Sequence, residues 1–198
     1  MSRWLKFSFL LGSLFSFFNS STAENSFYFQ KHQISLGYYN HHVITGSIPS
    51  LPKPLFWSSR FLANQGFMLE YLTSVYHTQK YFSIFFGMSF ANWNAGSSTL
   101  FALSGVLELR WWIVHTPTFN PYLMYSVAGP TILSNNHFNG SKLGSYVLFQ
   151  DYMGFGVMLG TQHHFTIEAK LVHYSNGDLG VYNQGMQVPF LMALGYSF

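Results

Sequence analysis

The chain has 198 residues, with 9 Lys or Arg against 6 Asp or Glu, so only 8% are charged while 48% are hydrophobic and 20% aromatic. Soluble domains carry about 25% charged residues, and disordered chains combine low hydrophobicity with high net charge, so this composition fits neither class. With no cysteine, a disulfide framework, a thiolate-held metal and a thiol nucleophile are all excluded.

Beyond the first two dozen positions no apolar run reaches the roughly 18 residues that a membrane helix requires. A chain too poor in charge for water and too polar for membrane helices has the mixture of a transmembrane β-barrel, in which only alternate residues meet lipid. At the start, Arg3 and Lys6 precede the apolar stretch 7–18, and polar residues then lead to Ser21-Thr22-Ala23. A charged start, a short apolar centre and small residues at a cleavage point make a secretory signal peptide. The alternative, an N-terminal anchor, is too short to span and is broken by Gly12, Ser13 and Ser16. The expected organisation is a signal peptide over 1–23 and a barrel over 24–198. Cleavage removes two of the nine basic residues, leaving seven against six acidic ones and a net charge of +1. No clustered basic face for nucleic acid is visible.

Eight strands are predicted in the remainder, over 27–39, 66–76, 81–92, 100–114, 120–131, 146–160, 165–175 and 188–198. The period is two. In the second strand Phe67, Leu69, Tyr71 and Val75 share one face, with Glu70 and Ser74 on the other. In the third, Phe82, Ile84, Phe86, Met88 and Phe90 oppose Ser83, Gly87 and Ser89. The fourth sets Phe101, Leu103, Leu107, Leu109, Trp111 and Ile113 against Ser104, Glu108 and Arg110. The seventh sets Phe165, Ile167, Ala169 and Leu171 against Thr166, Glu168 and Lys170. Glu108 beside Arg110, and Glu168 beside Lys170, imply an enclosed polar interior with paired charges; the apolar stripe faces lipid. Connections alternate: 77–80, 115–118 and 161–163 are short, while 40–59, 93–99, 132–145 and 176–187 are longer. In such barrels short turns are periplasmic and long loops external. The last strand, alternating Phe190, Met192, Leu194, Tyr196 and Phe198, looks like the assembly signal of outer-membrane barrels. The expected fold is all-β: an eight-stranded antiparallel transmembrane β-barrel in the Gram-negative outer membrane.

One feature breaks the lipid-facing pattern. His173 and Ser175 continue the outward stripe of the seventh strand, and Asp151 is the only charge among the outward positions of the sixth. Polarity is cheap near the membrane–water boundary, so the pair could simply mark that boundary. A hydroxyl and an imidazole two residues apart on one face could equally act as nucleophile and base. If the hairpin turns at 161–163, Asp151 falls directly opposite His173, with Cβ atoms ~5 Å apart. A bulge at Gly154 and Gly156 would instead turn Asp151 inward.

His173-Tyr174-Ser175-Asn176 resembles the His-x-Ser-Asn signature of PagL-type lipid A 3-O-deacylases, and Phe149-Gln150-Asp151 is similar to that family's Phe-x-Asp on the preceding strand. The family consists of eight-stranded outer-membrane barrels that hydrolyse an ester-linked acyl chain of lipid A. The resemblance is close over the last quarter of the chain. It implies Ser175 as nucleophile, His173 as general base and Asn176 as oxyanion contributor, acting on lipopolysaccharide in the outer leaflet without a cofactor. A homodimer is compatible with it. Where the family carries its triad glutamate, fourteen residues beyond the histidine, this chain has Gln187. Counted back from Phe198, Gln187 falls on the inward parity unless Pro189 marks a bulge. Gln187 is the alternative orienting position, able to hold the His ring by a hydrogen bond but not to stabilise imidazolium by charge. Otherwise Asp151 or Asp178 supplies the carboxylate, Asp151 ranked first because of its register, or activity is reduced or lost.

Other constellations are poorer. His41-His42 and His163-His164 are adjacent residues, which point to opposite faces of a strand and do not readily share a metal, so no metal site is expected. Lys53, Arg60 and Lys142 could meet lipid A phosphates as point charges, or be solvated loop residues. The rival to an esterase is a non-catalytic barrel, structural or adhesive, that keeps only the scaffold.

Overall fold

The computed structural model describes residues 30–44, 61–78, 81–177, 179 and 185–198. The expected signal peptide with its cleavage point at Ala23, the prolines of 40–59, Lys53, Arg60 and Asp178 lie outside the described residues. Eight strands form the wall: β1 (His32–Asn40), β2 (Gln65–His77), β3 (Phe82–Ala95), β4 (Ser98–Trp112), β5 (Phe119–Leu133), β6 (Val147–Leu159), β7 (Phe165–Ser175) and β8 (Met186–Ser197). Each pairs antiparallel with the next. β8 returns to β1 through Ile34↔Tyr196 and Leu36↔Leu194, which closes the barrel and leaves the wall without an edge. The seam is sealed at its end by reciprocal backbone hydrogen bonds of 2.9 Å between His32 and Phe198.

The period-two pattern resolves into an outer and an inner face as expected. Leu36, Phe86, Met88, Leu103 and Leu194 are exposed on the outside, whereas Glu70, Glu108, Arg110, Glu168 and Lys170 are fully buried within. Burying charge is tolerable only with close partners, and these have several. Arg110 Nε donates to Glu108 at 2.8 Å and its Nη1 to Gln33 Oε1 at 3.1 Å. Its guanidinium lies 4.2 Å from the ring centre of Phe85 and 4.1 Å from that of Tyr122. Lys170 meets Glu168 at 3.0 Å and also Glu70. Tyr122 and Tyr152 donate to Glu168 and Glu108 at 2.6 and 2.7 Å. Gly156 makes room for this network, since a Cβ there would come within 2.4 Å of the Tyr122 ring.

Two connections differ from expectation. The stretch 93–99 is not a long loop: β3 and β4 continue to Ala95 and Ser98, leaving a two-residue turn with Gly96 at φ 57°. Asn94 donates to Asn92 and Thr99 to Asn94, each at 2.8 Å, so polar residues that read as loop instead satisfy one another along an extended hairpin. Within 132–145, a small hairpin pairs His137–Phe138 with Ser141–Lys142. Its Asn139-Gly140 turn has both φ angles positive, at 51° and 77°, the type I′ geometry that Asn-Gly favours.

The ladder is interrupted by bulges that bear on the site. Between β5 and β6 the pairing passes from Ser126↔Tyr152 to Gly129↔Gln150, so Val127 and Ala128 together oppose Asp151. Between β7 and β8 it passes from Lys170↔Leu191 to Val172↔Val188, so Pro189 and Phe190 together oppose Leu171. Each bulge contains a non-glycine residue in the left-handed region, Ala128 at φ 33° and Phe190 at φ 61°.

Candidate active site

The β6–β7 hairpin pairs without interruption from Phe165↔Leu159 to Ser175↔Phe149. Unbroken pairing preserves parity, so His173 and Ser175 stay on the outer face with Ala169 and Leu171. The bulge at Gly154 and Gly156 that would turn Asp151 inward does not form; both glycines sit in the ladder opposite Lys170 and Glu168. Asp151 is the direct partner of His173, with its Oδ2 3.8 Å from His173 Nδ1. That separation is longer than a hydrogen bond and near the outer limit of an ion pair. The two side chains are 17% and 6% exposed, so the imidazole is nearly covered although it lies on the outer wall.

Gln187 is the partner of His173 on the other side. The parity counted back from Phe198 is overturned here, because the extra residue at Pro189–Phe190 shifts everything before it by one. The alternative attached to Pro189 is the one the chain adopts. His173 therefore lies between a carboxylate on β6 and an amide on β8. Asn176, next in sequence to Ser175, is buried, and its carbonyl accepts from Leu179 N–H at 3.1 Å. Ser175 is partly exposed at the last position of β7.

The outer end of β7 is anchored from inside. Tyr174, fully buried, receives a hydrogen bond of 3.1 Å from Trp93 Nε1, and its register partner Gln150 accepts from Ser89 at 2.8 Å. Sequence reasoning missed this support, although Tyr174 and Gln150 are each one residue from a site position and so on the opposite face by strand parity. It also missed the Ala128 N–H, which donates to Asp151 Oδ1 at 2.6 Å. Alongside the cluster runs a groove of about 450 Å³ on the outer wall. Its outward walls are Leu123, Met153, Phe155, Ala169, Leu171 and Phe190. Met153 and Leu171, which line it, are the next outward residues after Asp151 and His173.

Remaining sequence candidates lie apart from this cluster. Lys142 is in the small hairpin between β5 and β6. His41 bonds to Tyr39 at 3.2 Å, and His164 Nδ1 to the Ser197 carbonyl at 2.6 Å. Among the described residues no three His, Asp or Glu come together as a metal site.

A family model described as lipid A 3-O-deacylase (PagL) matches residues 13–193. Among solved structures, the outer-membrane enzyme PagL is 13% identical, with a TM-score of 0.59 over 84% of this chain and 99% of that one. Neisserial surface protein A is 13% identical, with a TM-score of 0.48 over 88% and 100% of the two chains. The Ail protein of Yersinia pestis is 17% identical, with a TM-score of 0.40 over 86% and 100%. At such identities the likeness to the PagL structure speaks for the fold alone. None of the curated proteins matches the sequence.

Proposed function

This chain belongs to the lipid A 3-O-deacylase (PagL) family of outer-membrane barrels, and from that premise we propose that it is an esterase using Ser175 as nucleophile, His173 as general base and Asp151 as the orienting acid. Ser175 Oγ attacks the ester carbonyl of an acyl chain of lipid A while His173 takes its proton. The tetrahedral oxyanion is held by Asn176, as preorganised donors hold such charge in other acyl transfers. Collapse expels the sugar alkoxide, which recovers the proton from His173, and leaves the acyl group esterified to Ser175. Water, deprotonated by His173, then releases the fatty acid. Asp151 stabilises the imidazolium formed in each half and fixes its ring orientation. No cofactor enters these steps.

One observation supports the reading: Asp151 lies opposite His173, 3.8 Å away, and Ser175 follows two residues on along the same outer face of β7, a face on which polar groups cost free energy away from the boundary. The apolar groove beside them suits the hydrocarbon of an acyl chain whose ester lies at Ser175. A second reading, a barrel that has lost catalysis, is favoured only by Gln187 standing where the resemblance calls for a glutamate. Purified protein in detergent micelles with lipid A, followed by mass spectrometry, separates the two. The esterase removes one ester-linked chain, and Ser175→Ala lowers the rate at least about 10⁴-fold with the barrel still folded. No product from either protein supports the non-catalytic barrel, and equal product from both overturns Ser175 as the nucleophile.

A further inference from the structure

We propose that the backbone N–H of Ala128, presented by the β5 bulge, is a positioning group for the hydrolytic site: it holds one oxygen of Asp151 so that the other faces His173. The inference rests on the assignment of Ser175, His173 and Asp151 given above.

The bulge is placed and built for this contact. Its two residues, Val127 and Ala128, oppose Asp151 and no other residue of β6, and both lie on the outer face with it. In a regular antiparallel ladder a strand amide donates to a carbonyl of its neighbour. Here the Ala128 N–H points instead at Asp151 Oδ1, 2.6 Å away. Ala128 reaches this orientation at φ 33°, a conformation unfavourable for a residue with a Cβ and sustained only where the surroundings over-determine it. Those surroundings are visible. A Cβ on Gly129 would lie 1.9 Å from the Gly105 carbonyl oxygen, so that position admits only glycine. Thr131 Oγ1 donates to the Gly129 carbonyl at 3.0 Å and shares a hydrogen bond of 2.9 Å with the Ser104 hydroxyl, tying the strand down immediately after the bulge. Backbone strain held in place beside a reactive cluster is the usual company of a functional site.

The consequence for the acid follows from geometry. A lone carboxylate at the outer rim is drawn toward water and headgroups, away from the imidazole. With Oδ1 held by Ala128, the side chain cannot swing out, and Oδ2 remains 3.8 Å from His173 Nδ1. Substrate binding then has only to close that distance, not to find the rotamer. If the bulge instead served only to satisfy a backbone amide, its deletion would affect the strand and leave kcat unchanged.

Deleting Ala128 removes the extra residue, leaves Val127 opposite Asp151 and keeps both flanks of β5 on their present faces. The deletion is expected to lower kcat about a hundredfold with little change in KM, the scale of a misplaced catalytic group, and to move the pH profile of kcat. Ala128→Gly retains the N–H and tolerates the left-handed backbone, so its kcat is expected within a few-fold of the parent. In an Asp151→Asn background the deletion is expected to add no further loss, because both changes act through one carboxylate. Independently of turnover, the amide proton of Ala128 in micelle NMR should move upfield in Asp151→Ala and stay put in Ser175→Ala. A folded deletion variant with full kcat, a loss that multiplies with that of Asp151→Asn, or an Ala128 amide indifferent to Asp151 overturns the positioning role. These outcomes are read against a parent that deacylates and a Ser175→Ala variant that does not; loss of that contrast removes the esterase assignment and this inference together.

Discussion

β7 carries polar groups on both faces, and the two faces use them in opposite ways. Inside, Glu168 is held by Lys170 at 3.0 Å, Tyr122 at 2.6 Å and Gln33 at 3.0 Å, and Lys170 reaches Glu70 as well. Outside, His173 and Asp151 stand 3.8 Å apart on a wall otherwise given to hydrocarbon. The inner charges neutralise one another in a dense network enclosed by the barrel wall. The outer ones are fewer, and they lie on the outer wall of the barrel. A close ion network rigidifies a barrel interior, whereas an acid facing an imidazole on the outer wall is the arrangement that the proposed hydrolysis uses.

Experiments that break one face and spare the other sharpen this contrast. The largest expected effect is on the outside. Asp151→Asn keeps the shape of the side chain but removes the charge that stabilises imidazolium, and should reduce turnover by about 10⁴-fold. Its heat-modifiable gel mobility should match the parent, which checks that the fold is untouched. An intermediate effect is expected within. Arg110→Met leaves Glu108 buried without its guanidinium, and breaking such a pair costs about 3–5 kcal/mol. The loss should appear as a lower urea midpoint for the refolded barrel, with deacylation per folded molecule unchanged. The smallest effect is expected at Gln187, the amide on the other side of His173. Gln187→Ala should slow turnover by tenfold or less, and Gln187→Glu should raise it by placing a second charge beside the ring; rates in micelles measure both. A dead Gln187→Ala with a fully active Asp151→Asn would make the amide, not the carboxylate, the orienting group.

The inner face was legible in the sequence because it depends only on period two. Glu108 with Arg110, and Glu168 with Lys170, are same-face neighbours on single strands, and their shared face follows from spacing. Glu70 could not be assigned to Lys170 this way, because they are 100 residues apart and meet only through the stagger of the closed barrel. On the outer face, the Asp151–His173 pairing was legible because one short hairpin with no bulge fixes it. Gln187 was not, because a single extra residue reverses parity, and whether Pro189 introduces one is decided by packing between strands. The β5 bulge left a trace in Gly129-Pro130, residues that weaken the interior of a strand. Its use, an amide turned toward Asp151, depends on a backbone conformation at Ala128 that spacing does not reveal. The stretch 93–99 misled for a related reason, since asparagines that favour loops can also bond to each other along an extended hairpin.

The most direct measurement is covalent labelling of the outer cluster with a fluorophosphonate, which reacts with a serine only when a neighbouring base activates it. In folded protein, peptide mass spectrometry should find the phosphonate on Ser175, with labelling abolished in His173→Ala although the serine is still present, and strongly slowed in Asp151→Asn. A parent protein that deacylates lipid A while Ser175 stays unlabelled, or a Ser175 labelled equally well without His173, would contradict a nucleophile–base pair on the lipid face.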